Sequence, residues 1–311
     1  MQKIHLKRTK RINGGHLWVF SNEIYESTRG YAPGSLVELF DRHESFLGTG
    51  YINPNSLISV RVLSRERAEI NRDFFVRRMR EAFDLRKRLF EGRDALRLIY
   101  SEGDYLPGLI ADRYGKCIVL QFLTYGVESF KDMIIELVDE ILAPDVIVLK
   151  NESRSRAIEG LQLYKELIKG SLDRLPVIEE NGLSIEIDPF GGQKTGYFLD
   201  QKDNRRALRQ YLKGGKGLDL FCYSGAWSLA AAMWGAEVTG VDESERAIGQ
   251  AAKNAAMNAL EGRATFVQDD VFSFLRKRVA QDSEKYDFIV LDPPAFVKSS
   301  AKMKEAAKAY R

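Results

Sequence analysis

The sequence predicts an α/β protein with a doubly wound parallel sheet in its C-terminal part, preceded by a small β-barrel or sandwich and a mixed α/β segment. From about residue 181, short apolar strands alternate with helical segments, as in KGLDLFCY followed by SGAWSLAAAMWG. Before about residue 70 the chain instead shows strand-like runs such as GSLVELFD and SLISVRVLS, separated by Gly, Pro and Asn.

Length and composition are those of an ordinary globular protein, with 311 residues, 44% hydrophobic residues and 29% charged residues. No apolar run reaches the roughly 20 residues of a membrane-spanning helix, and no apolar segment of a secretory signal follows the basic N-terminus. The two cysteines, Cys117 and Cys222, give neither a disulfide framework nor a zinc spacing. These features favour a reducing, cytoplasmic location without a metal site.

The middle of the chain begins with a long helical pattern. In INRDFFVRRMREAFDLRKRLFEG, apolar residues recur near the helical period and arginines occupy the other positions. Strand-like segments follow (ALRLIY, GLIADRY, KCIVLQFLTYG and DVIVLKN), with a predicted helix at GVESFKDMIIELVDEIL. We therefore expect three domains, at residues 1–71, 72–180 and 181–311.

The last predicted domain ends soon after its fourth strand, YDFIVLD. A sheet of this type normally has two or three further strands, and the fourth strand would be an exposed edge, which proteins usually avoid. We therefore expect the domain to be incomplete at its C-terminal end.

Acidic residues follow the apolar strands of the third domain. They are Asp219, Asp242, Asp269, Asp270 and Asp292. Carboxylates at such positions are costly to bury without polar partners, and ligands of parallel sheets bind beyond the carboxyl ends of the strands. This row of acids therefore predicts a ligand rich in hydrogen-bond donors.

The first turn, DLFCYSGAW, lacks the GxGxxG pattern, which counts against a dinucleotide. A nucleoside that carries a cation fits better: Asp219 would face an ammonium group, Asp242 two ribose hydroxyls, and Asp270 the exocyclic amine of adenine. S-adenosylmethionine has all three groups. The alternative is that these acids are helix N-caps, which such turns favour in any case.

The stretch VLDPPAFVKS predicts a site for a flat, amine-bearing group. Asp292 and the carbonyl of Pro293 can accept hydrogen bonds from an exocyclic amine, and Phe296 can stack on the ring. In the alternative interpretation Phe296 packs beneath the turn. Either arrangement holds a base edge near the methyl donor.

DLFCYSGAW, GVDESERAI, FVQDDVFSFL and VLDPPAFVKS resemble motifs I to IV of class I methyltransferases. The segment GGQKTGYFLDQKDNR (residues 191–205) resembles the family of ribosomal RNA large-subunit methyltransferases that make 5-methylcytosine, and GGHLWVFSNEI resembles its PUA segment. This resemblance covers essentially the whole chain. It implies an N-terminal PUA-like β-barrel, a small α+β domain and a Rossmann-like catalytic domain that uses S-adenosylmethionine.

The residues predicted to bind the cofactor lie in the first turn, at the strand ends and in the 191–205 segment. They are Asp219, Phe221, Tyr223, Ser224, Gly225, Asp242, Asp269, Asp270, Asp292 and Gln201. The 191–205 segment has two interpretations. It either crosses the pocket, with Lys194, Thr195, Tyr197 or Phe198 lining it, or forms a turn and a docking helix with Asp200 as N-cap.

Methylation at C5 of cytosine needs a thiolate that first adds to C6. Cys117 falls in an apolar strand and Cys222 in the cofactor turn, where a structural role is favoured. In the family that the chain resembles, the nucleophilic cysteine lies beyond the fourth strand, after this chain ends, so no catalytic cysteine is assigned. The alternatives are methylation of an exocyclic amine of guanine or adenine, a nucleotide-dependent oxidoreductase, and a non-catalytic RNA-binding protein.

Basic residues cluster in KIHLKRTKR at the N-terminus and along the long helix, although the net charge is only +3. The basic residues of the helix have two interpretations. They form either a solvated face paired with nearby acids or a surface that binds phosphate groups. The resemblance makes the N-terminal domain the expected anchor for large-subunit ribosomal RNA. No membrane partner is expected, and assembly as a homodimer is left open.

Overall fold

A computed structural model describes residues 1–280 and 285–294 of the chain. They form two compact units. The first comprises Met1–Pro176 and Ile187–Tyr197, and the second comprises Val177–Glu186 and the described residues from Phe198 onward. The predicted three-domain division, with boundaries after residues 71 and 180, stays a prediction.

The first unit begins with a five-stranded sheet and a short helix. These elements are β1 (Gln2–His5), α1 (Lys10–Asn13), β2 (Trp18–Phe20), β3 (Leu36–Phe40), β4 (Phe46–Ile52) and β5 (Ile58–Ser64). The strand order is β1-β3-β4-β5-β2, with β1 parallel to β3 and the other pairs antiparallel. Buried aliphatic side chains, among them Ile4, Val37 and Val60, form a core, which confirms the predicted β-rich start of the chain.

A second five-stranded sheet with four helices completes the first unit. Its elements are α2 (Arg72–Leu89), β6 (Ala95–Tyr100), β7 (Leu109–Tyr114), β8 (Cys117–Phe122), α3 (Tyr125–Glu128), α4 (Lys131–Leu142), β9 (Val146–Asn151), α5 (Arg154–Ile158) and β10 (Tyr164–Lys169). The strand order is β10-β9-β8-β7-β6, and only the β8–β9 pair is parallel.

The long helix predicted after residue 70 is confirmed as α2. It begins at Asn71, whose side chain accepts a hydrogen bond from the backbone N–H of Phe74 (3.1 Å), as an N-cap does. Its apolar face buries Phe74, Phe75 and Met79 in one cluster with Ile134 of α4. This packing, rather than helix propensity, is the main source of stability for such a helix.

The single helix predicted at GVESFKDMIIELVDEIL is instead two helices, α3 and α4. At the end of α3, the backbone N–H of Phe130 donates to the carbonyl of Val127 (3.1 Å). This bond joins residues three apart, whereas the bonds of an α-helix join residues four apart. The Phe130 ring packs on Phe75 with 4.9 Å between ring centroids. This tertiary contact favours the break, which no local sequence pattern indicates.

The described residues of the second unit form a hairpin and a four-stranded sheet with four helices. Its elements are β11 (Val177–Glu180), β12 (Leu183–Glu186), α6 (Lys202–Leu208), β13 (Lys216–Leu220), α7 (Ala226–Met233), β14 (Glu237–Asp242), α8 (Glu245–Met257), β15 (Ala264–Gln268), α9 (Val271–Ala280) and β16 (Phe288–Leu291). The described strands of the larger sheet are all parallel, in the order β15-β14-β13-β16. The predicted doubly wound sheet is thus confirmed.

Strand β16 lies at one edge of the described sheet, as the sequence predicts for the fourth strand. Its side chains Ile289 and Leu291 are 57% and 63% exposed. In the described part of the chain, no helix combines the length and apolar character needed to cross a membrane.

The β11–β12 hairpin is held against α8 by amide side chains. Asn254 and Asn258 accept hydrogen bonds from the backbone N–H groups of Glu186 (2.9 Å) and Ser184 (2.8 Å). Asn258 also donates to the Ser184 carbonyl (2.7 Å). These side chains satisfy backbone groups of β12 much as a neighbouring strand would.

Candidate functional site

The site lies at the carboxyl ends of the parallel strands of the second unit. The chain runs from β13 outward to β14 and β15, and then returns to the other side of β13 as β16. The strand order therefore reverses between β13 and β16. In open α/β sheets, ligands bind in the crevice outside the strand ends at such a reversal.

The turn after β13 has an unusual backbone. Phe221 and Tyr223 have φ values of 63° and 51°, and Gly225 has a φ of 79°. Bulky residues rarely adopt this left-handed conformation, and where it persists it often marks a binding or catalytic site. A side chain at position 225 would also clash with its surroundings, because a Cβ there would lie 2.8 Å from the ring of Phe266.

Asp219, the fourth residue of β13, is buried at 1% exposure. One of its carboxyl oxygens, Oδ2, accepts hydrogen bonds from the backbone N–H and the hydroxyl of Ser228 at 3.0 Å and 2.6 Å. The other oxygen, Oδ1, is buried without a hydrogen-bond partner among the described residues. A ligand that carries N–H donors or a positive charge would satisfy this oxygen.

The pKa of Asp219 is raised to about 7, mainly by burial and with smaller contributions from the charges of Asp292 and Asp242, although the hydrogen bonds from Ser228 lower it. These two carboxylates are therefore close enough to Asp219 to influence its ionisation. A cationic group in the crevice would reverse the balance and favour the ionised form of Asp219.

Asp242 ends β14 and is held by two backbone amides. Its Oδ2 accepts from the N–H of Tyr223 (3.0 Å) and its Oδ1 from the N–H of Ser244 (2.9 Å). A carboxylate can accept about four hydrogen bonds, so both oxygens retain capacity for hydroxyl groups of a ligand. The contact with Tyr223 also joins the first turn to the end of the second strand.

Asp269 and Asp270 follow β15 and serve the helix that comes next. Asp270 accepts a hydrogen bond from the backbone N–H of Ser273 (2.8 Å), as an N-cap of α9, and this bond lowers its pKa. Asp269 forms an ion pair with Lys277 (2.7 Å). Asp270 is therefore a helix N-cap, as the alternative interpretation of the strand-end acids predicts. A contact of Asp269 or Asp270 with a ligand stays a prediction.

Asp292 and Pro293 follow β16 directly. Asp292 is exposed, and its Oδ2 accepts a long hydrogen bond from the indole N–H of Trp227 (3.4 Å). Its charge contributes to the raised pKa of Asp219, so the two carboxyl groups lie near each other at the ends of adjacent strands. Phe296, the third residue predicted to position a base, lies outside the described residues.

The 191–205 segment contributes to both units. In the first unit, Thr195 is buried and its hydroxyl donates to Asp112 (2.6 Å). In the second unit, the ring of Phe198 meets that of Tyr223 edge to face, with centroids 5.5 Å apart. Phe198 thus lies against the first turn, and its predicted place in the lining of a cofactor pocket stays a prediction.

Gln201, and not Asp200, is the residue at the N-cap position of α6, and it makes no capping hydrogen bond through its side chain. The predicted N-cap role of Asp200 is therefore wrong, because a 3₁₀ turn over Leu199–Gln201 moves the helix start. The side-chain oxygen of Gln201 accepts from Asn204 (3.0 Å). Its contact with the cofactor stays a prediction.

Both cysteines of the chain are buried and poorly suited to nucleophilic attack. Burial raises the pKa of Cys117 to about 12, and burial together with Asp219 and Asp242 raises that of Cys222. The neutral thiol is the form that these surroundings favour, whereas a nucleophile must be a thiolate.

Three residues that shape the site escaped prediction. Ser228 holds Asp219, Arg205 donates to the carbonyl of Phe198 (3.1 Å), and Asn254 donates to the carbonyl of Ser224 (3.5 Å). Arg205 also forms a buried pair with Glu180. The sequence carries no signal for these contacts, because their partners lie 7 to 30 positions away.

Comparisons with known families agree with the two parts of this architecture. The PUA-like domain family matches residues 3–65, and a family described as S-adenosylmethionine-dependent methyltransferase matches residues 164–311. The predicted fold class, with its PUA-like domain and Rossmann-like methyltransferase domain, is confirmed.

Among curated proteins, ribosomal RNA large subunit methyltransferase I of Klebsiella pneumoniae (strain 342) is 37% identical over 310 residues, which cover 98% of this chain and 77% of that protein. The protein of the same name from Enterobacter sp. (strain 638) is 36% identical, with 98% and 78% covered.

Two solved structures have the same fold over nearly the whole chain. A SAM-dependent methyltransferase from Streptococcus mutans is 25% identical, with a TM-score of 0.82 and coverage of 97% of this chain and 80% of that one. A methyltransferase determined in complex with SAH is also 25% identical, with a TM-score of 0.82 and coverage of 96% and 78%.

Proposed function

Because this chain belongs to the family of ribosomal RNA large subunit methyltransferase I, which uses S-adenosylmethionine, we propose that it serves methylation at C5 of a cytosine in large-subunit ribosomal RNA by binding the cofactor and the target base. The observation that carries this proposal is the buried Asp219 with one unpartnered oxygen, at the reversal of a methyltransferase sheet. The cytosine C5 target rests in addition on the resemblance of residues 191–205 to enzymes of that specificity.

S-adenosylmethionine supplies an electrophilic methyl group on a positively charged sulfur. We propose that Asp219 receives its ammonium group, directly or through water, at the unpartnered oxygen. Asp242, already oriented by two backbone amides, has acceptor capacity for the ribose hydroxyls. The turn Phe221–Gly225 provides the wall between these two carboxylates, with Tyr223 bonded to Asp242.

Asp292 and Pro293 are proposed to hold the target base. Both follow β16, at the strand end beside Asp219, and Asp292 is exposed. Hydrogen bonds from an exocyclic amine to these acceptors would orient the base toward the methyl group. Orientation of this kind can supply several kcal/mol of barrier lowering.

The cysteines limit what this chain can do alone at C5. Attack by a thiolate on C6 makes C5 nucleophilic, and a base must later remove the C5 proton. Neither buried thiol has the exposure or the lowered pKa that this step needs. We therefore expect the 311-residue chain to bind S-adenosylmethionine but to methylate cytosine poorly or not at all.

The same observation favours a second candidate, methylation of an exocyclic amine of guanine or adenine in RNA. That reaction needs orientation and acceptors but no thiolate, and Asp292 with Pro293 would provide the acceptors. The two candidates thus give opposite expectations for the activity of this chain.

The deciding experiment has two parts. Calorimetry should detect binding of S-adenosylmethionine and not of NAD, and absence of cofactor binding would contradict both candidates. Unmodified large-subunit ribosomal RNA is then incubated with the chain and S-adenosylmethionine and digested to nucleosides for mass spectrometry. Turnover to an N-methylated purine would establish the second candidate. Efficient formation of 5-methylcytidine would overturn the expectation drawn from the buried cysteines.

A further inference from the structure

Three exposed aromatic residues of the first unit surround one turn, the 3₁₀ segment Ser101–Asp104. Tyr100 precedes the turn and Tyr105 follows it, with 57% and 47% of their surfaces exposed. Trp18 is 39% exposed and donates its indole N–H to Glu102 of the turn (2.6 Å). The turn therefore brings together aromatic side chains from two sheets of the unit.

Each of these rings has an arginine beside it. Arg97 lies over Tyr100, Arg78 over Tyr105 and Arg61 over Trp18, at 5.3, 5.1 and 5.6 Å from the ring centroids. The arginines are themselves held by carboxylates: Arg97 by Asp112 at 2.8 Å, Arg78 by Glu81 at 3.1 Å and Arg61 by Glu102 at 2.8 Å. Guanidinium groups fixed in this way keep the neighbouring rings in place.

The backbone of the turn is also held in a rarely adopted conformation. Ser101 and Tyr105 have φ values of 47° and 56°, in the left-handed region. The backbone N–H of Leu106 donates to the carbonyl of Ser101 (3.1 Å), and that of Tyr100 donates to Asp104 (2.5 Å). Strain of this kind persists only where the surroundings enforce it, and it clusters at functional surfaces.

We propose that Trp18, Tyr100 and Tyr105 form a stacking platform for unpaired bases of the RNA substrate. Exposed aromatic rings with arginines beside them are the elements with which proteins bind single-stranded nucleic acids, since every base has a face that can stack. This proposal rests on the proposed function in taking RNA as the substrate. It concerns residues of the first unit, whereas the residues proposed to bind the cofactor belong to the second unit.

The groove beside Tyr105 favours RNA over a protein partner. It has a volume of about 640 Å³, and eight charged side chains line it: Arg65, Glu66, Arg67, Glu69, Asp73, Arg77, Arg78 and Glu81. The core of a protein interface is depleted of charged residues, so a groove lined by eight of them is a poor site for the apolar centre of a protein interface. Among the described residues, Arg65 and Arg77 make no ion pair and are suited to phosphate groups.

The charges of the groove are balanced, four positive and four negative, so the platform should act through stacking. The test uses the full chain, without cofactor, and fluorescence anisotropy with a labelled single-stranded RNA of about ten nucleotides. We expect Tyr105→Ala and Tyr100→Ala each to weaken binding about 5-fold or more, with the salt slope of binding unchanged. Tyr105→Phe keeps the ring and should bind like the unsubstituted chain.

Tyr211→Ala, which removes an exposed tyrosine of the second unit, is the matched control and should leave the affinity unchanged. Thermal unfolding of each variant shows that the chain remains folded. If the unsubstituted chain binds RNA and the alanine variants at Tyr100 and Tyr105 bind it equally well, the platform is wrong and the proposed function stands. A duplex of the same length is titrated in parallel: binding of the duplex alone overturns the platform and leaves the proposed function standing, and binding of neither RNA overturns both.

Discussion

Ser228 donates its backbone N–H and its hydroxyl to the same oxygen of Asp219, at 3.0 Å and 2.6 Å. This pair of bonds fixes the carboxyl group near the end of strand β13. Its other oxygen, Oδ1, is buried and has no hydrogen-bond partner among the described residues. The carboxyl group is therefore oriented in advance for a donor or a cation.

The affinity for S-adenosylmethionine should rise with pH because of Asp219. Burial raises the pKa of Asp219 to about 7, so near neutral pH the free chain holds a proton that a cationic ligand must displace. Between pH 6 and pH 8 the ionised fraction grows about tenfold, and affinity should grow in proportion. Calorimetry over this range, in two buffers of different ionisation enthalpy, measures the affinity and the released proton.

Asp219→Asn is the control for this titration. Its affinity for S-adenosylmethionine should be lower and independent of pH over the same range.

The stability of the free chain should fall as pH rises, opposite to the affinity. As pH rises from about 4 to about 7, the unfolded state releases a proton that native Asp219 retains, so the free energy of unfolding falls. Above pH 7 the variant should therefore unfold at the same or a higher temperature than the unsubstituted chain. A pH-dependent affinity in the variant would contradict the assignment.

The buried pair of Arg205 and Glu180 should stabilise the second unit and its site together. Arg205 donates to the two oxygens of Glu180 at 2.6 Å and 2.9 Å, and both side chains are at most 4% exposed. Arg205→Met removes the guanidinium group that binds both oxygens of the buried Glu180, which should cost about 3–5 kcal/mol in urea unfolding. The double variant Arg205→Met with Glu180→Leu removes both charges and should recover most of this loss.

A second measurement separates positioning from stability. Because Arg205 also donates to the carbonyl of Phe198, whose ring contacts Tyr223, the stable double variant should still bind S-adenosylmethionine more weakly. Unchanged cofactor affinity in the double variant would show that Arg205 has a structural role alone.

The two cysteines should be unreactive in the folded chain. Cys117 and Cys222 are 3% and 4% exposed, and burial raises the pKa of both thiols. Ellman's reagent at pH 8 should therefore detect almost no thiol until denaturant is added, and then two. Rapid labelling of Cys222 in the folded chain would reopen its assignment as the nucleophile.

The basic N-terminal helix should contribute phosphate contacts. Lys10 is exposed, while Arg11 is 52% exposed and lies over Phe20, 4.7 Å from the ring centroid. The double substitution Lys10→Ala with Arg11→Ala should weaken RNA binding and reduce the salt slope by about one to two. The slope is measured from anisotropy titrations at several salt concentrations.

Lys87→Ala with Arg88→Ala, on α2, is the charge-matched control. Both residues line a shallow surface with Glu81, Asp84 and Glu91, so their charges are locally balanced and the slope should not change. A reduced slope for the α2 variant with an unchanged one for the N-terminal variant would place the phosphate contacts on the long helix instead.

The sequence alone was sufficient for the fold class and the cofactor. The alternation of apolar strands and helices from β13 to β16 is a local pattern, and a parallel sheet must place Asp219, Asp242 and Asp292 at one end. The same local reasoning located α2 from the period of its apolar residues. One of its two interpretations of residues 191–205 made Asp200 an N-cap, and that role is wrong because a 3₁₀ turn over Leu199–Gln201 moves the helix start.

The tertiary structure decided which of these residues are oriented for a ligand. Ser228 leaves one oxygen of Asp219 without a partner among the described residues, whereas Ser273 makes Asp270 an N-cap, although both acids lie at the ends of apolar strands. The pairing of Arg205 with Glu180 and the rings around Ser101–Asp104 likewise join residues far apart in the chain. Periodicity and composition report a residue's own neighbourhood, whereas these contacts depend on how separate elements pack.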